Sequence, residues 1–531
     1  MPEYLAPGVY IEEFEMGARP IEGVSTSTVG FLGITERGPT TLIYPVTSLT
    51  QYMRIYGGYL QNSYLTYAVD GFFSNGGKRC YIGRIAPNAA TTAETTLGVI
   101  NFKAVGPGDW GNRVGIRIEN ASIDETNERQ DGDKCFKLTI AYWKSGKLPN
   151  LEVSEPEGEE QTKALNKLIR SADHFESFDN LAENPSSVDY FIKKLGDPQK
   201  NLSNLIVLSG KGRPPNTEGN YFNVLEDGDN TTDPLLASDY RGDPNALPRE
   251  RTGLTAFNEI DEISIISAPD IQLLDEVNRR TAMGHILTQC ETLKDRFAIL
   301  DTPKDFKNIS DLKIDALVTP SKYGAIYYPW IKIYDPVTSG QKLIPPGGHI
   351  AGIYARSDTE RGVHKAPANE YVKGAIDLEF KITKGEQDIL NPRGINVIRD
   401  FPGRGILVWG ARTAILDTSW KYINVRRLFI YIEESIEEGT QWVVFEPNNE
   451  KLWARVRATI TQFLTGVWRD GALMGTKPEE AFFVKCDRGT MTQDDIDNGK
   501  LICIIGIAPV KPAEFVIFRI TQWAGGSAAT E

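Results

Sequence analysis

A strand–helix rhythm that stops, and then resumes, restricts the fold of this chain more than anything else in it. In residues 23–97 the apolar run STVGFLGIT is followed by helical spacing over 48–76 and then by KRCYIGRI. Alternation of this kind implies α/β units. Residues 98–253 abandon it: they are rich in Asp, Glu, Asn and Gly, with scattered strand candidates such as KLTIAYW and LIVLSG. From Asp261 the rhythm returns with EISIISAPD, a helix around 272–284, RFAILDTP and YGAIYYPWIKIYDP. Apolar runs ending in Asp270, Asp301 and Asp335 fit a parallel sheet covered by helices. The expected fold is therefore an α/β domain (23–97 and 254–366) interrupted by an inserted domain (98–253).

A polar, Gly/Pro-rich stretch at 340–370 precedes a last domain, expected over 367–510 and of α+β type. INVIRDF, ILVWGART, FIYIEESIEEGTQW, AFFVKCD and LICIIGIAPV read as strands or short helices. One helix stands out at 449–469, where Leu452, Val456, Ile460, Phe463 and Val467 recur at steps of three and four. Lys451, Arg455, Gln462 and Arg469 share another face of it.

Both ends read as strands without a sheet. Residues 1–22 form an N-terminal arm punctuated by Pro and Gly, within which Val9, Tyr10, Ile11 and Phe14 alternate as in an extended strand. Residues 511–531 form a C-terminal arm whose AEFVIFRITQW includes Phe515, Val516, Ile517, Phe518 and Ile520. A single strand is not stable alone, so each needs a host.

Charge and side-chain chemistry remove several function classes. The net charge of −13 disfavours nucleic acid, which demands a basic surface. The charge is uneven: residues 98–253 hold 19 basic against 26 acidic side chains, whereas 392–531 hold 17 of each. An acidic middle suggests a solvent-facing region, and a neutral, aromatic C-terminal third suggests contact with partners. There is no run of eighteen apolar residues and no secretory signal pattern, so neither membrane insertion nor export by signal peptide is expected. Cys80, Cys135, Cys290, Cys486 and Cys503 are odd in number and far apart, which reads as a reduced thiol set, and the sequons at Asn120, Asn201, Asn230 and Asn308 then mean nothing. His174, His285, His349 and His364 lack HxxxH spacing, and HIAGIYARSDTERGVH, with Asp358 and Glu360 between two histidines, reads as an irregular polar loop. GFFSNGGKR at 71–79 misplaces the lysine of a phosphate-binding loop, and Arg79 stands where a magnesium-binding hydroxyl belongs. EESIEE at 433–438 reads as a solvated helix face. No catalytic, cofactor or metal site is expected.

The chain resembles the contractile tail sheath family of phages and phage-like injection particles. The resemblance rests on YLAPGVYIEE, RPIEGVSTSTVGFLGITERGP, FFSNGGKRCYIGRI and PGDWGNRVGIRI, with Trp110, Gly111 and Asn112 in the family's motif. It is strongest from Tyr327 through YYPWIKIYDP, IPPGGHIAGIYARSDTERGVHKAPAN, INVIRDFPGRGILVWGART and YINVRRLFIYIEESIEEGTQWVVFEPNNEKLWARVR, and weak over 120–250. It implies a structural subunit assembled in the bacterial cytoplasm, with arms that add strands to neighbouring subunits. It further implies stacked hexameric rings around an inner tube, an inserted domain facing outward and a C-terminal domain facing inward. A baseplate and a terminator or cap would be the remaining partners. On that reading Lys451, Arg455, Gln462 and Arg469 face the tube, and Gly17, Pro20, Gly23, Pro509 and Pro512 act as hinges. Two other readings remain open: an α/β enzyme whose insertion is a lid, and a capsid or tube protein. Short arm linkers and a modest insertion favour a phage-like injection particle over a phage tail, and both ends in one chain argue against a sheath split between two chains.

Overall fold

The computed structural model describes residues 20–519, apart from 42–43, 123–133, 145–147, 156, 198–201, 305 and 307. The N-arm residues Val9, Tyr10, Ile11 and Phe14, the hinge Gly17, and Ile520 lie outside the described residues.

The apolar runs form the centre of a nine-stranded sheet. Six parallel strands lie side by side in the order Ile395–Phe401, Gly324–Tyr328, Phe297–Asp301, Ile265–Ser267, Val29–Gly33 and Cys80–Arg84. Short antiparallel strands close the edges, Pro45–Val46 beside Cys80–Arg84, and Gly405–Val408 with Glu370–Tyr371 beside Ile395–Phe401. Every residue of Val29–Gly33, Cys80–Arg84, Phe297–Asp301 and Gly324–Tyr328 is buried. Covered parallel sheets need such unbroken apolar runs.

Two elements depart from expectation. The stretch expected as an irregular loop around His349 is the helix Gly347–Arg361, buried along most of its length. It packs on the helix Leu65–Ser74 so closely that a Cβ on Gly348 would lie 2.4 Å from the Ala68 backbone, and one on Gly352 2.5 Å from the Phe72 carbonyl. The glycines that lower helix propensity are the ones that permit this approach. The domain boundary expected at 366/367 runs through the sheet, because Ile395–Phe401 pairs with Gly324–Tyr328. Between them the chain makes a separate antiparallel three-stranded sheet of Gly340–Ile344, Ile331–Asp335 and Ala375–Leu378, so the run ending in Asp335, expected in the parallel sheet, is not part of it.

The insertion is also tighter than 98–253. Thr91 and Asp229 form a bridge, with Thr91 N–H donating to the Asp229 carbonyl at 3.0 Å, and Ala237, Leu254 and Phe257 belong to the main core. Between these limits lie two antiparallel sheets, of three and four strands, around a separate core that includes Phe102, Trp110, Phe136 and Phe191. The family-motif residues hold its two ends together. Asn112 donates from Nδ2 to the Gly228 carbonyl at 2.7 Å and accepts from Gly228 N–H at 2.8 Å, while Trp110 donates from Nε1 to the Pro107 carbonyl.

The last domain pairs the helix Ile423–Gly439 with the helix Glu450–Arg469 and the hairpin of Phe482–Lys485 and Ile504–Ile507. FIYIEESIEEGTQW is thus mostly helix. The stripe Leu452, Val456, Ile460, Phe463 and Val467 is buried in this domain's core, and Asn449 caps the helix by accepting from Leu452 N–H at 3.0 Å.

One ion pair ties this domain to the sheet. Arg427 donates from Nη1 and Nη2 to the two carboxylate oxygens of Asp358, at 2.9 and 2.6 Å, with both side chains under 5% exposed. Nη2 also donates to the Thr26 carbonyl at 2.7 Å, the Thr26 hydroxyl donates to Asp358, and the guanidinium lies over the Tyr354 ring. Removing one member of such a pair leaves a buried charge unpaired, which costs about 3–5 kcal/mol. Asp358→Asn is therefore expected to lower the urea midpoint or to yield insoluble protein, and a loss below about 1 kcal/mol would show that the pair does not hold the domains.

Candidate functional site

In open α/β sheets a ligand sits at the carboxyl ends of the strands, where the strand order reverses. Here that point lies between Val29–Gly33 and Ile265–Ser267. It is closed. Ser267, Asp270, Asp301 and Thr302 are 0–3% exposed. Asp270 accepts from Ile34 N–H, Tyr64 N–H and the Ser63 hydroxyl, and a Cβ on Gly33 would stand 2.6 Å from its Oδ2. Asp301 accepts from Gly347 N–H at 2.8 Å, placing its own carboxyl at the start of the helix Gly347–Arg361. Burial pushes Asp270 up to about 6 and Asp301 up to about 7. In an acid with a raised folded-state pKa, the stabilising proton is held at low pH and lost as pH rises toward neutrality. These carboxyls are structural plugs in the crevice.

The other chemical candidates disperse. His349 is buried against Gly71, and burial lowers it to about 4. Asp358 is committed to Arg427, and no group of three or more His, Cys, Asp or Glu among the described residues is placed to hold a metal. GFFSNGGKR comprises the last turn of the helix Leu65–Ser74 and the turn that leads into the strand Cys80–Arg84, and does not precede a helix. That end of a helix dipole repels phosphate. In EESIEE, Glu433 pairs with Arg426 at 2.6 Å. Burial, with Asp295, Glu437, Glu438 and Asp261 nearby, pushes Glu434 up to about 7.

What the fold leaves open is main chain and apolar surface near the C-terminus. The chain is held in place through Val510: Met474 N–H donates to the Ala508 carbonyl at 2.8 Å, Val510 N–H to Ala472 at 3.1 Å, and Pro509 bridges Leu473. It is clamped once more at Glu514. Arg412 donates from Nε and Nη2 to the two Glu514 oxygens, each at 2.8 Å, while Asn391 Nδ2 and the Tyr422 hydroxyl donate at 2.8 and 3.0 Å. Burial raises the Glu514 carboxyl, but these donors outweigh it and hold it below the usual range. Beyond the clamp Phe515, Val516, Ile517 and Phe518 are 67–84% exposed and pair with no strand. Such a run on a surface marks a contact site. The hairpin Phe482–Lys485/Ile504–Ile507 is a two-stranded sheet with both outer edges unpaired among the described residues, and Phe483 and Ile504 are about half exposed.

The expected hinges divide. Pro20 is exposed, but Gly23 lies against Tyr431, where a Cβ would be 2.2 Å from the phenol oxygen, and Val24 N–H donates to the Ser435 hydroxyl. Gly23 is thus a packing position. Pro509 is likewise held by its bridge to Leu473, and the chain is bonded again at Glu514. On the helix Glu450–Arg469, Lys451, Gln462 and Arg469 are exposed, whereas Arg455 is half-buried over the Trp442 ring at 4.6 Å. Sequence reasoning missed Glu514 and Arg412, because their pairing joins residues 102 apart.

The described residues thus combine a closed crevice, a clamped arm root and a hairpin with open edges. Two family models match: the phage tail sheath protein central domain matches residues 252–414 and the phage tail sheath C-terminal domain matches 416–522, together just over half of the chain. The chain belongs to the phage tail sheath family. It is 27% identical over 207 residues to the tail sheath protein of Vibrio phage KVP40, covering 38% of this chain and 30% of that one. It is 26% identical over 292 residues to a putative prophage major tail sheath protein of Pseudomonas aeruginosa, covering 52% and 70%. The chain spans well under two thirds of the Vibrio, Burkholderia and Salmonella phage relatives, at 30, 35 and 42% of their lengths. The anti-feeding prophage helical sheath in its contracted state matches over 97% of this chain and 99% of the other, with TM-score 0.57 and 25% identity.

Glu514→Gln removes the charge that holds Arg412 while keeping the side chain's shape. Chymotryptic cleavage at Phe515 and Phe518 is expected to accelerate several-fold with the melting temperature nearly unchanged, and an unchanged cleavage rate would show that the clamp does not direct the arm.

Proposed function

We propose that this chain is the subunit of a contractile sheath, in which copies polymerise as stacked hexameric rings around an inner tube and shorten to drive that tube through a target envelope. The observation that carries this is the exposed apolar segment Phe515–Phe518, which joins no sheet among the described residues. An open sheet edge binds an extended segment through main-chain hydrogen bonds, with alternate side chains giving specificity. The hairpin Phe482–Lys485/Ile504–Ile507 of a neighbour has two such edges, one for each kind of arm. Fully burying even two of the four exposed side chains contributes roughly 3–6 kcal/mol. The N-terminal arm, with Val9, Tyr10, Ile11 and Phe14, does the same toward another neighbour. Assembly takes place in the bacterial cytoplasm, with a baseplate at one end and a terminator or cap at the other. The energy of contraction is a difference in buried interface between two packings, about 1–3 kcal/mol per subunit on the scale of ordinary coupling energies, multiplied along the polymer. Deleting 515–531 is expected to leave a folded monomer and no tubes in negative-stain micrographs. Normal striated tubes from the truncated chain would refute strand exchange.

In the same reading the helix Glu450–Arg469 faces the inner tube. Its buried stripe fixes which side is turned outward, and that side presents Lys451, Gln462 and Arg469, with Arg455 stacked on Trp442. Docking of this kind is weakened by salt, since exposed charges are screened over about 8–10 Å near physiological ionic strength. Lys451→Glu with Arg469→Glu is expected to reduce tube-filled extended particles several-fold while tubeless polymers still form. Equal yields of filled particles would remove this helix from the tube contact.

A further inference from the structure

Of the five cysteines dispersed along the sequence, two stand side by side in the structure. Cys80, Cys135 and Cys290 are fully buried. Cys486 and Cys503 follow directly from the hairpin register. Lys485 stands opposite Ile504, so one further antiparallel step sets Cys486 opposite Cys503. Directly opposed residues in antiparallel strands have Cα atoms about 4.5 or 5.5 Å apart, depending on the hydrogen-bonding position. Both values fall within the range of roughly 4.4–6.8 Å that a disulfide spans. The two thiols are within hydrogen-bonding reach of each other.

We propose that Cys486 and Cys503 are a disulfide-forming pair: reduced while the chain folds and assembles, they close into an intrachain staple across the Phe482–Lys485/Ile504–Ile507 hairpin when the chain meets an oxidising small-molecule disulfide. The chemistry is two exchange steps. The Cys503 thiolate attacks one sulfur of the reagent disulfide, breaking its S–S bond and releasing one reagent thiol, which takes up a proton. The Cys486 thiolate then attacks Cys503 Sγ in the mixed disulfide and releases the second reagent thiol. Two protein S–H bonds are lost, one S–S bond is made, and the reagent is reduced to two thiols.

Access sets the order of the steps, since Cys503 is partly exposed whereas Cys486 is buried. Burial, followed by the neighbouring Cys486, pushes the Cys503 thiol up to about 12. Closure is therefore slow near neutrality, because only thiolate reacts. Arg457 offsets part of this by favouring the thiolate at both positions. The staple falls at the end of a hairpin with open edges, where it holds the two strands in register. This inference does not depend on the sheath reading, and its test requires no polymer.

The full-length protein is incubated with excess oxidised glutathione at pH 8.5, then denatured and alkylated with a maleimide. Five reactive thiols are expected to become three. Trypsin is expected to yield residues 486–488 joined to 501–519, a species two hydrogens lighter than the separate peptides and lost on reduction. Cys486→Ser is expected to abolish the joined peptide and leave the fold intact by circular dichroism. Retention of all five thiols, separate glutathione adducts on the two residues, or a dimer on a non-reducing gel would each overturn the proposal.

Discussion

The buried pairing of Arg427 with Asp358 is the constraint on which the arrangement of this molecule depends. It joins the helix Ile423–Gly439 to the helix Gly347–Arg361, and through Thr26 it also fixes the segment that enters the first strand. Three stretches far apart in sequence meet at one charge pair. Desolvating two ions is expensive, and a hydrophobic replacement of the same shape is often as stable. What the pair provides beyond stability is a defined geometry: a bidentate guanidinium–carboxylate contact tolerates little rotation. The C-terminal domain is thereby set at one orientation to the sheet, and the open hairpin and the clamped arm root are set with it.

The same chain closes one kind of site and opens another. At the reversal point of the sheet, Asp301 places its own carboxyl at a helix N-terminus, where many α/β proteins hold an anion. Asp270 takes up the backbone donors beside it. Elsewhere, one long edge is defended. The nine-residue edge strand His174–Ala182 carries Glu176 and Asp179, a register shift opposite Phe136/Leu138 and a positive φ at Asn180. Charges and irregularities of this kind discourage strand addition. The hairpin Phe482–Lys485/Ile504–Ile507 has no register shift and keeps apolar side chains exposed. The contrast between a defended edge and an undefended one, within one chain, argues that the second is for use.

Much of this was legible because the strongest signals are local. Fully buried strands such as Val29–Gly33 and Phe297–Asp301 announce themselves as unbroken apolar runs, and the stripe from Leu452 to Val467 has the helical period. The Gly347–Arg361 helix was illegible for the converse reason. It is buried on many sides and has three glycines, so neither amphipathic period nor propensity identifies it; packing against Ala68 and Phe72 decides the matter. The boundary near 366 failed because the chain leaves the sheet after Tyr328 and rejoins it at Ile395, and no local feature marks a return. The exposure of the arm was legible as an apolar run without a host, but its anchor was not, since Glu514 is an ordinary carboxylate until Arg412 is beside it. The Cys486–Cys503 pairing needed the hairpin register, which two short strands with eighteen residues between them do not specify by themselves.

The position of the anchor decides where motion can occur. Flexing between 508 and 512, as Pro509 and Pro512 suggest from sequence, would break the main-chain bonds that Ala508 and Val510 make with Ala481, Met474 and Ala472. It would also pull on Asn424, which donates to the Val510 carbonyl at 3.1 Å. Each such bond is worth roughly 0.5–1.5 kcal/mol, so several lost together exceed the per-subunit difference proposed for contraction. The Glu514 clamp adds a charge-assisted pair to that cost. Rotation at the Glu514–Phe515 junction breaks none of them. On the proposed strand exchange, a subunit turning at that junction would keep its own root bonded through Glu514. A linkage that survives rotation requires, on that proposal, a tight clamp immediately before the pivot, and the Arg412–Glu514 pair directly precedes Phe515.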